Sequence, residues 1–520
     1  MSFLANILYK KQTNHLNKKD WLYLLPAGAI FTIISLITIT KSSIWFDEAF
    51  GAYLIRFNFF DIAKYTASDV HPPLYYWLLK VWSMAFGSSE LSLRSMSLLF
   101  GLLAVFFAYM LIKRLFGLKS ARFSLVFIII SPMLIRYSQE ARMYMLVAAI
   151  AMAATYVLSI AMESKRRWPW IVYGLLVSLG MWTHYYSALV WLAHWIWRAD
   201  VIRRSTKKRQ FVKAFFSRDW IQAHLIAVGI YLPWLPFLVS QAFVVQAYGF
   251  WIPPVSLVTP FNYINKVFYY QDMKDPTGWL LLAILLLMSA VIYMMARRVY
   301  ENMDSKLRQN YRLIMALSFA PILILMLVSL PPLRSTFVDR YLITSVFGIS
   351  LFIGVTIAHR IKNLGSKLTI LASMAIIAMM IFGISNVYEY GNYDKDSKQT
   401  RQIVEQVWHH AKPGQPIIAA TPWLFYEVVF YSTDSHPVYY IAPDNYPYGS
   451  LMMLKENDMF KIKDVKKFEQ DHPTFWYIGW SQDGKLDSPQ SNWRILEKIT
   501  IDDPINGGPE YVAEEFKVSD

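Results

Sequence analysis

The chain has no cysteine, which removes disulfides, thiolate metal sites and cysteine nucleophiles together and leaves the redox compartment open. Charge is also scarce: Asp, Glu, Lys and Arg make up 17% of the 520 residues, against about 25% in soluble globular chains. Hydrophobic residues fill the space at 55%, with a mean hydropathy of +0.31. There is no low-complexity tract and no repeat at a period of roughly 20–50 residues, which excludes solenoids and propellers. The last 130 or so residues contain no G-x-G-x-x-G and no phosphate loop, so no nucleotide is assigned to them. What remains is an integral membrane protein, and its 33 Phe, 33 Tyr and 19 Trp suit interfacial belts.

The net charge of +15 is divided unevenly. From residue 388 onward there are 21 Asp/Glu and 13 Lys/Arg, whereas the first 387 residues carry 15 and 38. The basic residues lie in short gaps between apolar runs. That placement excludes a nucleic-acid binder, which needs them on one solvated face, and fits an acidic tail on the far side of a bilayer.

The apolar runs number eleven, at 21–40, 91–112, 123–137, 143–162, 169–182, 184–198, 221–240, 278–296, 313–330, 341–358 and 368–387. The first follows Lys10, Lys11, Lys18 and Lys19, has no cleavage site, and reads as an uncleaved span with a cytoplasmic N-terminus. On that parity every basic cluster falls on the cytoplasmic side. Residues 41–90, 241–277 and 331–340 and the tail then lie outside the cell membrane. The domain expectation is a membrane region at 1–387 and a small α/β domain at 388–520. In the latter a helix is expected at 398–410, strands at 416–420, 438–441 and 474–479, and a helix at 422–431. The polar stretch at 388–396 marks the boundary. The loop at 241–277, rich in Pro and aromatics, reads either as a lid or as an interfacial loop.

The first outer loop holds the acids that composition makes conspicuous. Trp45-Phe46-Asp47-Glu48 follows the first span, and Asp69-Val70-His71-Pro72-Pro73 comes some twenty residues later. Apolar spacing predicts an amphipathic helix over 47–58 lying on the membrane surface, and a short interfacial helix over 74–86. Asp47 and Glu48 have two readings: N-terminal caps of that surface helix, or a general base for a hydroxyl nucleophile with a supporting acid. Glu48 and Asp69 are also the acids available to a divalent ion, too few to define a site. His71 reads as a turn residue or as a donor to an anionic group.

The pattern from Trp45 to Glu48 followed by Asp69-Val70-His71-Pro72-Pro73-Leu74 resembles the first outer loop of the protein O-mannosyltransferase superfamily. Ser92-Leu93-Arg94 and Lys113-Arg114-Leu115-Phe116-Gly117 also resemble the related bacterial lipid A aminoarabinose transferases. The likeness covers residues 21–200 well and the later spans in layout only. It implies a GT-C glycosyltransferase: a mainly α-helical polytopic membrane protein of about eleven spans with a small extracytoplasmic α/β domain. It further implies a polyprenyl-phosphate sugar donor and Asp47 as catalytic base. The chain departs from the family in lacking a β-trefoil insertion, and in having His71 where the aminoarabinose transferases tend to have lysine.

Arginines on the outer side suit a lipid-linked phosphate, which their planar fork grips. Arg94 and Arg340, the latter followed by Tyr341, are the phosphate candidates with His71. Glu140 is expected to pair with Arg136 or Arg142, and His184 either lines an acceptor groove or satisfies an interfacial hydrogen bond. The reading is an inverting transfer to a hydroxyl on a lipid, glycan or protein at the outer face of the cell membrane. The competing class is a lipid or glycan transporter, which places its ionisable residues near mid-membrane.

Overall fold

The structure is a computed structural model. It describes residues 16–519 except 249–250, 272–275, 363–366, 391–398, 433–434, 442–453, 455–459, 482–483, 487–489 and 503–508. The expected boundary stretch with Gly391-Asn392 lies outside these described residues.

Each of the eleven apolar runs is helical. Among the described residues eight helices are long and apolar enough to cross a membrane, or nine if one bent pair is a single span. The other two runs form Trp168–Thr183, only 16 residues long, and Ala188–Ser205, which carries Arg198, Asp200, Arg203 and Arg204. The run expected as one span at 123–137 is broken. Leu118–Ile129 stops, Pro132 starts Pro132–Ser138, and the axis turns by 64°. Proline holds the residue before it out of helical geometry, and Ser131 is extended at φ −71 and ψ 117.

Two compact units divide the chain, and neither is continuous in sequence. One comprises Met1–Thr38 and Arg94–Glu389; the other comprises Ile39–Leu93 and Tyr390–Asp520. The first outer loop, expected with the membrane region, therefore folds with the tail.

In the membrane unit, the segment Asp339–Ile361 is 94% buried, which makes it the central post. Its glycines permit that. A Cβ on Gly354 would lie 2.3 Å from the Ser124 Cα, and one on Gly348 would lie 2.7 Å from the Ser318 backbone nitrogen. Small residues let membrane helices approach this closely. The first helix, Lys18–Leu36, begins with reciprocal bonds: the Asp20 N–H donates to Asn17 Oδ1 at 3.1 Å, and the Asn17 N–H to Asp20 Oδ2 at 2.7 Å. Asp20 is fully buried and is met by Lys113 at 2.7 Å and the Tyr109 hydroxyl at 2.8 Å, both on Glu90–Phe116.

In the other unit the tail forms a five-stranded mixed sheet. Its strands are β1 (Ile417–Ala419), β2 (Val438–Tyr440), β3 (Thr474–Trp480), β4 (Trp493–Asp502) and β5 (Pro509–Val518), in the order β2-β1-β3-β5-β4. β2, β1 and β3 run parallel, while β5 and β4 are antiparallel additions. Helix Thr400–His410 and helix Pro422–Tyr431 match the expected elements. Ile418, Phe468, Phe475, Tyr477, Trp493 and Phe516 form the core of one sheet face.

Lys113→Met leaves Asp20 buried without its cation, so folding stability should fall by about 3–5 kcal/mol. Adding Asp20→Leu should recover most of the loss, read by thermal melting in detergent. In the tail, burial raises the carboxyl of Glu514 above its ordinary value of 4.5, with Lys498 opposing the rise. The folded form then binds the proton more tightly than the unfolded form, and stability falls as pH rises through the raised value. The permanently neutral Glu514→Gln should gain in melting temperature relative to the wild type between about pH 4 and about pH 7.

Candidate active site

The Asp-Glu motif opens helix Phe46–Leu54, which is shorter than the expected 47–58. Trp45 precedes it in extended geometry, at φ −105 and ψ 170. Glu48, fully buried at the third helical position, reaches back to the Trp45 N–H at 3.4 Å. Glu48 thus caps its own helix, while Asp47 in the same first turn is half-buried. At the other end, Lys80 donates to the Ile55 carbonyl at 2.9 Å, a cation where the helix dipole is negative. Asn58 then starts a separate helix, Phe59–Ser68, by accepting from the Asp61 N–H at 2.9 Å.

The apolar stripe of Phe46–Leu54 does not face lipid, as the membrane-surface expectation had it. Phe46, Phe50 and Tyr53 surround Tyr426 of helix Pro422–Tyr431, with ring centroids at 6.0, 6.0 and 5.2 Å. An amphipathic pattern reports that one face is covered, and here the cover is protein.

Asp69 ends helix Phe59–Ser68 and is almost fully buried. Its Oδ2 lies 3.2 Å from Nδ1 of His71. Pro72 and Pro73 turn the chain into helix Leu74–Phe86, whose start and end match the expected interfacial helix. The buried Tyr76 on that helix meets Phe50 edge-on at 5.9 Å. One aromatic contact therefore joins the helix that carries Asp47 to the helix that follows His71. Among the described residues no group of three or more His, Asp or Glu gathers as metal ligands.

The arginines and His184 belong to the membrane unit, where they form two groups. Arg136 pairs with Glu140 at 2.9 Å, and both are buried. Next to them the Arg142 carbonyl accepts from Ser97 at 3.2 Å. Arg94 and Arg142 are buried as well. The second group surrounds Arg340. Its guanidinium lies over the rings of Trp251 at 5.2 Å and Tyr144 at 5.9 Å. Tyr341 stacks on Tyr186 at 4.5 Å and 14°, and meets His184 at 4.8 Å. The Nδ1 of His184 accepts from the Tyr186 N–H at 3.2 Å, so this histidine caps the turn Tyr185–Ser187.

Sequence reasoning did not single out Tyr144, Tyr186 or Trp251 as the aromatic setting of Arg340. Tyr144 stood in the quoted Arg136–Tyr144 stretch, but nothing local placed it against a residue two hundred positions away. His194 needs no functional reading: it bridges Thr155 at 2.9 Å and Tyr173 at 3.1 Å within the buried helices.

Residues 70–236 match the family model for dolichyl-phosphate-mannose-protein mannosyltransferases. That is about a third of the chain; it begins one residue before His71 and leaves out Asp47. No curated protein matches the sequence significantly. Among solved structures, ArnT from Cupriavidus metallidurans bound to undecaprenyl phosphate shares the fold with a TM-score of 0.61 at 11% identity, over 96% of this chain and 98% of that one. The Archaeoglobus fulgidus oligosaccharyltransferase, in complex with zinc and sulfate, aligns with a TM-score of 0.51 at 13% identity, over 88% of this chain and 67% of that one. The family model thus matches residues 70–236, and these two structures share the fold of the chain.

The two arginine groups should respond differently to substitution. Arg136→Gln takes the Arg136 cation away from the buried Glu140 carboxylate and should lower stability by about 3–5 kcal/mol. Arg340→Gln gives up the cation–π contacts with Trp251 and Tyr144, which should cost about 0.5–2 kcal/mol, both variants being measured by melting of the purified protein.

Proposed function

We propose that the chain is an inverting glycosyltransferase that moves a sugar from a polyprenyl-phosphate donor to an acceptor hydroxyl at the outer face of the cell membrane. The observation that carries this reading is the contact of the Asp47 helix, through Phe50, with Tyr76 of the helix that directly follows the paired Asp69 and His71. That arrangement holds acids of the right type in a fixed frame. The undecaprenyl phosphate bound to ArnT supports a lipid-phosphate donor.

Asp47 acts as the base. It accepts the proton of the acceptor hydroxyl, whose oxygen attacks the anomeric carbon. The bond from that carbon to the phosphate oxygen breaks, and its electron pair leaves with the lipid phosphate. One displacement inverts the configuration. The leaving group is already an anion, so cations suffice where a glycosidase needs a second carboxylic acid. Arg340 and Arg94 supply that positive charge, with His71 as a further donor. Tyr341 and His184 fix the surroundings of Arg340, Glu140 holds Arg136, and Glu48 holds the start of the Asp47 helix.

Sidedness follows from the basic gaps. Trp168–Thr183 and Ala188–Ser205 are consecutive, so counting both as spans or neither leaves the parity of all later loops unchanged. With Leu118–Ile129 and Pro132–Ser138 counted as one bent span, the loop 41–90 and the tail are extracytoplasmic and the N-terminus is cytoplasmic. A transporter would want charge at the span centres, whereas Asp47, Glu48 and Asp69 of this sequence cluster in one loop.

Asp47→Asn should reduce transfer by roughly 10²–10⁴-fold while the protein accumulates in membranes at the wild-type level. Mass spectrometry of cell-envelope glycans reads the product, and near-normal product from the variant would sink the assignment. Arg340→Ala should raise the donor concentration needed for half-maximal rate.

A further inference from the structure

The tail meets the loop at a second place besides the aromatic cluster, and this contact is polar. Glu90, about nine-tenths buried, accepts from Arg401 Nη1 at 2.7 Å on one oxygen and from the Tyr431 hydroxyl on the other. Each partner does more than neutralise Glu90. Arg401 Nη2 also donates to the Thr40 carbonyl at 3.2 Å, and the Arg401 N–H donates to Ser43 Oγ at 3.1 Å. Ser43 in turn donates to Gln402 at 3.2 Å. The Tyr431 oxygen accepts from the Ile44 N–H at 2.6 Å.

The outcome is a closed clasp. Thr40, Ser43 and Ile44 lie just before the Asp47 helix, and Glu90 is the first residue of the next long helix. One arginine and one tyrosine of the tail hold both ends of the first outer loop together. Ile44 is followed by Trp45, the N-cap residue whose N–H meets Glu48. A chain of direct bonds thus runs from the buried Glu90 carboxylate, through the Tyr431 hydroxyl, to the backbone three residues before Asp47.

We propose that Arg401, Tyr431 and Glu90 are positioning residues for Asp47, and that the tail domain acts as a jig for the base-bearing helix. This rests on the proposed transfer reaction. Charge-assisted bonds fix geometry more tightly than neutral ones, and a misplacement of about 1 Å at a reacting group costs on the order of 10²-fold in rate. None of the three residues needs to touch donor or acceptor. Their removal should slow turnover without changing the donor concentration at half-maximal rate.

The test uses the full-length protein in detergent and the variants Glu90→Gln, Tyr431→Phe, Arg401→Met and Arg401→Lys. Hydrogen–deuterium exchange is followed over residues 40–54 and, as an internal reference, over Asp339–Ile361 of the membrane unit. Transfer is measured with a lipid-linked sugar fraction extracted from host membranes. Expected is exchange at 40–54 faster by about 10-fold or more in Glu90→Gln, Tyr431→Phe and Arg401→Met. The reference segment should be unchanged, and turnover should be lower by on the order of 10–100-fold at unaltered half-saturation. Arg401→Lys, which keeps a cation beside Glu90, should recover part of both. The proposal is overturned if exchange at 40–54 and turnover stay at wild-type values in Glu90→Gln and Tyr431→Phe. It is equally overturned if exchange rises across 40–54 and the reference segment alike, since the clasp would then serve overall stability. The exchange readout needs no catalysis, so it tests the clasp even if Asp47→Asn shows that the transfer reading is wrong.

Discussion

A charge taken out of water must find a partner, and this chain, with few charges to place, holds several of its buried ones in pairs. Asp20 meets Lys113 and Tyr109, Arg136 meets Glu140, and Glu90 meets Arg401 and Tyr431. The Asp20 pair joins two helices that apolar packing alone would leave free to slide, the Glu90 pair joins the first outer loop to the tail, and Arg136 with Glu140 fixes a single stretch. The polar pairs set register where hydrophobicity cannot. Even Glu48, an acid in the signature motif, is occupied by the Trp45 N–H, so the two neighbouring carboxylates have separate work: one shapes the helix and the other is half-buried on it.

The same logic runs through the apolar contacts. The central helix can be central because Gly348 and Gly354 let Ser318 and Ser124 approach its backbone. The Asp47 helix is placed by three rings around Tyr426 and a fourth contact to Tyr76. Aromatic side chains suit this task, since each covers much area with few rotatable bonds and prefers edge-on geometry.

Much of the architecture was legible in the sequence because its signals are local. Apolar runs gave the helices; Pro72-Pro73 gave the start of Leu74–Phe86; and Lys412-Pro413-Gly414 gave the end of Thr400–His410, with Gly414 at φ 79. What stayed hidden was of two kinds. Some elements lack a clean pattern: β4 and β5 carry Arg494, Glu497, Lys498, Glu514 and Glu515, and the outer part of that hairpin faces water, so neither reads as a hydrophobic run. Other features are pairings between distant positions. Helical spacing at 47–58 shows that one face is covered but not by what, and nothing near Glu90 names Arg401 as its partner 311 residues on. The acids and arginines were found as residue types; the aromatic setting of Arg340 and the clasp on Glu90 needed coordinates.

One unit of the molecule is assembled from two stretches separated by nearly 300 residues, since Ile39–Leu93 folds with Tyr390–Asp520. Synthesis at about 5–20 residues per second places roughly 15–60 seconds between them. During that interval the ribosome delivers the membrane helices while Phe46, Phe50, Tyr53 and Glu90 wait without the surfaces that will cover them. The first outer loop is therefore made well before the segment that covers it and is among the last to acquire its final form. The chain can take up that form only when the stretch from Tyr390 onward has been made, so the Asp47 helix is held in place only after that stretch has folded against it.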